Sequence, residues 1–137
     1  MKKTVLSLTA CFILLSLLSS CKKEDTKSFK DQLVGHWESV QIKSGASDIT
    51  STTQFKLNLE SSNEFDLDVV STPPLGNAST SSYSGDWFED DAKKDLSLQY
   101  DQGGSTTTWD VKEITETQMT TEHIEKGIRY EIKFERK

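Results

Sequence analysis

Cysteine is scarce in this chain of 137 residues: there are two, Cys11 and Cys21, and both fall within the first 21 positions. A disulfide framework is thereby excluded from everything downstream, where a fold must rest on its core alone. Histidine is equally scarce. His36 and His123 stand in no H-x-x-x-H or H-E-x-x-H spacing, so no metal or haem site is implied, and each reads as an ordinary surface or rim residue beside an inward-facing strand position. Past the first 20 residues the basic clusters are Lys22-Lys23 and Lys93-Lys94, in a chain of formal charge −6. Such a surface is repelled by phosphate backbones, which argues against nucleic-acid binding. No G-x-S-x-G elbow, P-loop or dinucleotide fingerprint occurs, so the chain reads as non-enzymatic and without a cofactor. An apolar run of about 20 residues, the length that spans a bilayer, is also missing.

What is present at the start is Lys2-Lys3 followed by an apolar stretch from Val5 to Leu18 that only Ser and Thr interrupt. A charged n-region and a short h-region of this kind form an export signal that is cleaved. The junction Leu18-Ser19-Ser20-Cys21 resembles the lipobox of bacterial lipoproteins: an aliphatic residue, two small residues and a cysteine. The alternative is an ordinary secretory peptide with a chance cysteine. The resemblance implies that residues 1–20 are removed, that Cys21 carries a diacylglyceryl group, and that its new amine is acylated. Each buried CH₂ contributes about 0.8 kcal/mol, so two or three acyl chains hold firmly where one binds marginally. The implied partner is thus a membrane, engaged through lipid on Cys21, and the implied location is the cell envelope, at the outer membrane. Processing would leave 117 of the 137 residues. Since the removed stretch holds two lysines and no acid, it would also move the charge from −6 to −8. Lys22-Lys23-Glu24-Asp25 further resembles the surface-export signal of lipoproteins in one group of Gram-negative bacteria; a charged, flexible tether over residues 21–28 is the other reading.

From Phe29 onward the dominant signal is alternation with period two, which predicts half-buried strands in one domain, residues 29–137. Phe55, Leu57 and Leu59 share a face, as do Phe65, Leu67 and Val69 across a turn at Ser61-Ser62-Asn63. Tyr83, Gly85 and Trp87 are followed by Leu96, Leu98 and Tyr100, with turn residues from Asp90 to Lys94 between them. Thr107, Trp109 and Val111 form the next strand. Met119 to Ile124 and the series Ile128, Tyr130, Ile132 and Phe134 are joined at Glu125-Lys126-Gly127, whose glycine supplies the positive φ of a tight hairpin. In the first strand Trp37 is out of phase with Val40 and Ile42, which a bulge near Glu38 or Ser39 would correct. Phe29 and Leu33, with Ser28 as N-cap, predict one helical turn at an end of the fold. Residues 43–51 and 71–82, the latter with Pro73-Pro74, read as exposed loops. Asp86, Glu89, Asp90, Asp91 and Asp95 lack a calcium-loop pattern and read as a solvated hairpin tip.

Eight strands with short links predict an all-β, antiparallel up-and-down eight-stranded barrel, since closure removes both exposed edges. Leu33, Gly35 and Trp37, then Phe55 to Phe65, Gly85-x-Trp87 with Leu96 and Leu98, and Tyr130 to Phe134 together resemble the lipocalins and the small lipocalin-like domains of bacterial lipoproteins. That resemblance implies a barrel that often holds a small apolar ligand, with the Gly-x-Trp tryptophan across the closed end. It also implies an arginine stacked on that tryptophan, for which Arg129 is the candidate by location. The residues expected inside, as packing or as ligand lining, are Trp37, Phe55, Phe65, Trp87, Tyr100, Trp109 and Tyr130. Two functional readings follow: a binding module for a small apolar molecule or glycan fragment, and an interaction or inhibitor protein with a solid barrel that meets an envelope protein through its loops. An aromatic-lined cavity of a few hundred Å³ separates them. A third reading, an acid-based hydrolase, needs two convergent carboxylates.

Overall fold

The computed structural model describes residues 27–137. The export segment 1–20, Cys21 and all but the last two residues of the tether lie outside the described residues. The chain opens with α1 (Phe29–Leu33), where the Ser28 hydroxyl accepts from the Asp31 amide at 3.1 Å and buries Phe29 and Leu33 on one side. This is the side-chain cap that Ser28 predicts.

The strands follow as β1 (Gly35–Ser44), β2 (Ser47–Asp48), β3 (Thr53–Leu59), β4 (Glu64–Ser71), β5 (Ser79–Asp90), β6 (Asp95–Tyr100), β7 (Thr106–Ile114), β8 (Gln118–Glu125) and β9 (Ile128–Arg136). Apart from the two-residue β2, each pairs antiparallel with the next, and β9 returns to β1 from Trp37↔Arg136 to Ser44↔Tyr130. The result is the closed, antiparallel, up-and-down eight-stranded barrel that the alternation and the exposed-edge argument predict. Its interior holds Trp37, Ile42, Leu57, Leu59, Phe65, Leu67, Trp87, Leu96, Leu98, Trp109, Met119, Ile132 and Phe134, nearly all at positions two apart on their strands.

Three local expectations are corrected in part. The bulge expected near Ser39 is there, between Ser39, which pairs with Phe134, and Gln41, which pairs with Lys133, but it leaves Val40 unmatched and turned outward rather than sharing the inward face of Ile42. Ser39 instead faces in, where its hydroxyl accepts the Phe55 amide at 2.8 Å and stands in for a ladder bond between β1 and β3. Residues 43–51 are only partly a loop, because β1 runs to Ser44 and folds back onto β2 with Lys43↔Asp48 and Ser44↔Ser47. Residues 71–82 contain a loop of 72–78 alone. The Ser/Thr run belongs to β5, which pairs with β4 from Ser71↔Ser79 onward through backbone bonds that need no apolar side chain.

One end of the barrel is shut. It collects α1, the turns after β3, β5 and β7, and the C-terminal residues. Asn63, in the left-handed region at φ 76, accepts the Trp87 amide on its carbonyl at 2.7 Å and donates through Nδ2 to the Trp87 carbonyl at 3.0 Å. The Lys94 ammonium lies over the Phe29 ring at 4.5 Å. The other end carries the links 45–46, 72–78, 101–105 and 126–127, and it is open.

Candidate ligand-binding site

The two Gly-x-Trp pairs explain the closed end. Trp37 donates its indole N–H to the Leu33 carbonyl at 2.8 Å, and Trp87 donates to that of Glu60 at 2.9 Å. The arginine stacked on Trp37 is Arg136, with its guanidinium carbon 4.2 Å from the ring centre. Arg129 lies instead on the outer wall, with Asp95, Asp110 and Glu122 nearby, so the location-based candidate is corrected. Arg136 donates to the carbonyls of Gln32 at 2.6 Å, Glu116 at 2.7 Å and Val34, tying α1 and the β7–β8 turn to the last strand. Gly35 makes this approach possible, because a Cβ there would lie 2.4 Å from Arg136 Nη1. Burial lowers the pKa of Arg136, and the Glu116 charge opposes that shift.

The open half is hollow. A cavity of about 520 Å³ reaches inward from the mouth, a size within the range of small-molecule pockets. Phe55, Leu67 and Val69 form one wall, and Trp109, His123 and Tyr130 form the opposite one. Tyr83 and Tyr100 close the side between them, with Tyr83 edge-on to Tyr100 at 5.7 Å and Tyr100 edge-on to Phe65 at 5.5 Å. Burial raises the pKa of the Tyr100 phenol, a Thr107 hydrogen bond lowers it, and the nearby Glu125 and Tyr83 add smaller increases.

The seven aromatic residues expected inside therefore divide by depth. Trp37, Phe65 and Trp87 fill the closed half, whereas Phe55, Tyr100, Trp109 and Tyr130 line the cavity. His123, read from the sequence as a surface or rim residue, is a correction: it is 8% exposed and lines the cavity. Its ring is sandwiched between Trp109 at 5.2 Å and Tyr130 at 5.1 Å, and Trp109 stacks in turn on Phe134 at 6.0 Å. All three interplanar angles are 18° or less, so four rings make one column from core to mouth. Burial pushes the His123 pKa down, against a smaller upward effect of Glu125. The signal for His123 lay in the phase of Met119 and Thr121, four and two residues before it on the same face. Ile124, apolar yet 68% exposed, had pointed to the other face.

Glu125 is the one acidic side chain of the lining, so no pair of carboxylates converges in this cavity. At the acidic hairpin tip, Asp90 pairs with Lys93 at 3.2 Å and Asp91 with Lys94. Among the described residues no cluster of three or more metal-ligating side chains occurs.

No protein-family model and no curated protein matches the chain. Among solved structures it is similar to apocrustacyanin C2, at 10% identity and a TM-score of 0.48 over 84% of this chain and 64% of that one. It is likewise similar to lobster apocrustacyanin A1, at 11% identity and 0.48 over 85% of this chain and 64% of that one. A mutant of the fluorescent protein UnaG gives 13% identity and 0.39 over 77% of this chain and 96% of that one. The chain thus spans about 64% of the length of either apocrustacyanin.

Proposed function

We propose that this protein is a non-catalytic binding module for a small apolar molecule, held at the cell envelope by lipid on Cys21. The observation that carries the binding reading is the cavity itself: about 520 Å³, open at one end and walled by Phe55, Leu67, Val69, Tyr100, Trp109 and Tyr130. A barrel serving only as a platform for its loops has no need of a hollow half, because packing that volume would stabilise it. Aromatic and aliphatic walls give a guest apolar contact, and Thr53, Gln102, Ser105, Thr107, His123 and Glu125 supply polar groups that can orient it. The anchoring half of the reading rests on the Leu18-Ser19-Ser20-Cys21 resemblance.

The neutral dye N-phenyl-1-naphthylamine, which brightens in apolar surroundings, tests the cavity. It is expected to bind the wild type with a saturable rise in fluorescence. Val69→Trp, which places an indole in the opening, is expected to weaken binding about tenfold or more, a change equal to about 1.4 kcal/mol, while circular dichroism stays that of a barrel. Equal binding by both proteins would place the dye elsewhere and sink the reading. For the anchor, Cys21→Ser expressed in a bacterium that processes lipoproteins is expected to shift the protein from the membrane to the soluble fraction. Unchanged fractionation, with no acyl mass on the wild type, would remove that half.

A further inference from the structure

Three indole N–H groups lie inside this barrel, and two of them are met by backbone carbonyls at the closed end. The third, Trp109 Nε1, has no partner among the described residues. Neither has His123 Nδ1 nor Thr121 Oγ1, and these three are the buried side-chain polar atoms left unpaired among the described residues. They are also neighbours. Asp110 pairs with Glu122 and Val111 with Thr121, so Trp109, Thr121 and His123 hold adjacent inward positions on β7 and β8. Their residues are 2%, 0% and 8% exposed, and Trp109 and His123 line the cavity. Buried polar groups are almost always paired, so these adjacent exceptions, two of them on residues that line the cavity, call for a partner from outside the chain.

Charge selects among the partners. The lining holds no lysine or arginine, and its single charged side chain is Glu125. Burial also favours the uncharged imidazole of His123. A carboxylate entering here would meet another carboxylate near the mouth and find no cation to offset its lost hydration. An uncharged carbonyl gives up far less hydration and can accept from the Trp109 N–H and, in the Nδ1–H tautomer, from the His123 ring that lines the cavity beside it. Resting on the binding-module reading above, we propose that Trp109 and His123 form a polar anchor for the carbonyl of an uncharged, largely apolar ligand, and that Glu125 disfavours anionic analogues.

Three probes with one naphthalene body separate the parts of this proposal: 2-acetylnaphthalene, 2-ethylnaphthalene and 2-naphthoate, the last ionised at neutral pH. Each is titrated calorimetrically into the whole protein at pH 7. The ketone is expected to bind about tenfold tighter than the ethyl compound, and the naphthoate about tenfold or more weaker than the ketone. In Trp109→Phe, which keeps an aromatic wall and removes the donor, the ketone is expected to fall to within about twofold of the ethyl compound, whose own affinity holds. His123→Phe, which keeps a ring in the stack, is expected to weaken the ketone alone by a few-fold and serves if the tryptophan variant fails to fold. Equal binding of ketone and ethyl compound to the wild type would mean that water meets these atoms; it overturns the anchor and leaves the binding site standing. Tightest binding by naphthoate overturns the charge argument. If none of the three binds, the binding-module reading itself fails, and the anchor with it.

Discussion

His123 shows how one side chain can report on the interior. It is pressed between the Trp109 and Tyr130 rings, and the titratable groups that share its space are Glu125, Tyr130, Tyr83 and Tyr100. Burial is the larger influence, so its folded-state pKa lies below the ordinary value of 6.5. Between those two values the unfolded chain binds more protons than the folded one, so stability falls as pH drops through that window and levels off below the folded pKa. Thermal unfolding followed from pH 8 to pH 5 is therefore expected to show the melting temperature declining once pH passes below about 6.5, before exposed carboxylates titrate. His123→Phe, which keeps a ring in the stack, is expected to lack that component. An identical slope in the variant would place the titration elsewhere. The residue was hidden in the sequence because Ile124, the apolar neighbour, suggested the opposite phase; near the tip of a hairpin the wall has thinned, and an isoleucine facing solvent loses little contact.

At the scale of the element, the strands were readable because each has one buried face and therefore a period-two pattern that a one-residue slip would invert. Legibility ended where that face ended. The start of β5 is a Ser/Thr run held to β4 by its ladder alone, and the bulge at Val40 depends on how β1 is shared between β3 and β9. The Gly-x-Trp pairs were visible, but their reason was not: each glycine admits a group from the strand paired beside it, β9 for Gly35 and β6 for Gly85. A Cβ on Gly85 would lie 2.0 Å from the Gln99 carbonyl oxygen, a backbone atom that the β5–β6 ladder fixes. A Cβ on Gly35 would meet the tip of Arg136, a side chain able to swing aside at the expense of its carbonyl bonds. Gly85→Ala is thus expected to destabilise by about 3 kcal/mol and Gly35→Ala by about 1–2 kcal/mol in urea unfolding. The reverse order would show that the arginine, not the ladder, is the stiffer neighbour.

For the whole molecule, closure joins residues that no local pattern connects, and the argument from exposed edges is what predicts it. The division of the interior into a packed half and a hollow half was beyond such reasoning, since seven aromatic residues of similar character were sorted by strand position into two ends. That division fixes an orientation if Cys21 carries lipid. The described chain enters at α1, on the packed end, and seven residues separate Phe29 from Cys21, eight steps that reach at most about 28 Å when fully extended. Such an anchor would pull on the shut end and leave the mouth turned toward the aqueous side, so that a ligand would arrive from solution or from a partner rather than by sliding out of the same bilayer. Single-cysteine labels on lipidated protein in vesicles test this: Ala92→Cys marks the β5–β6 turn at the shut end, and Leu75→Cys marks the exposed loop at the mouth. Energy transfer to acceptors in the lipid headgroups is expected to be clearly stronger from position 92 than from position 75. Equal transfer, or stronger transfer from the mouth, would mean that the barrel lies on its side or inverts, and that the bilayer itself can feed the cavity.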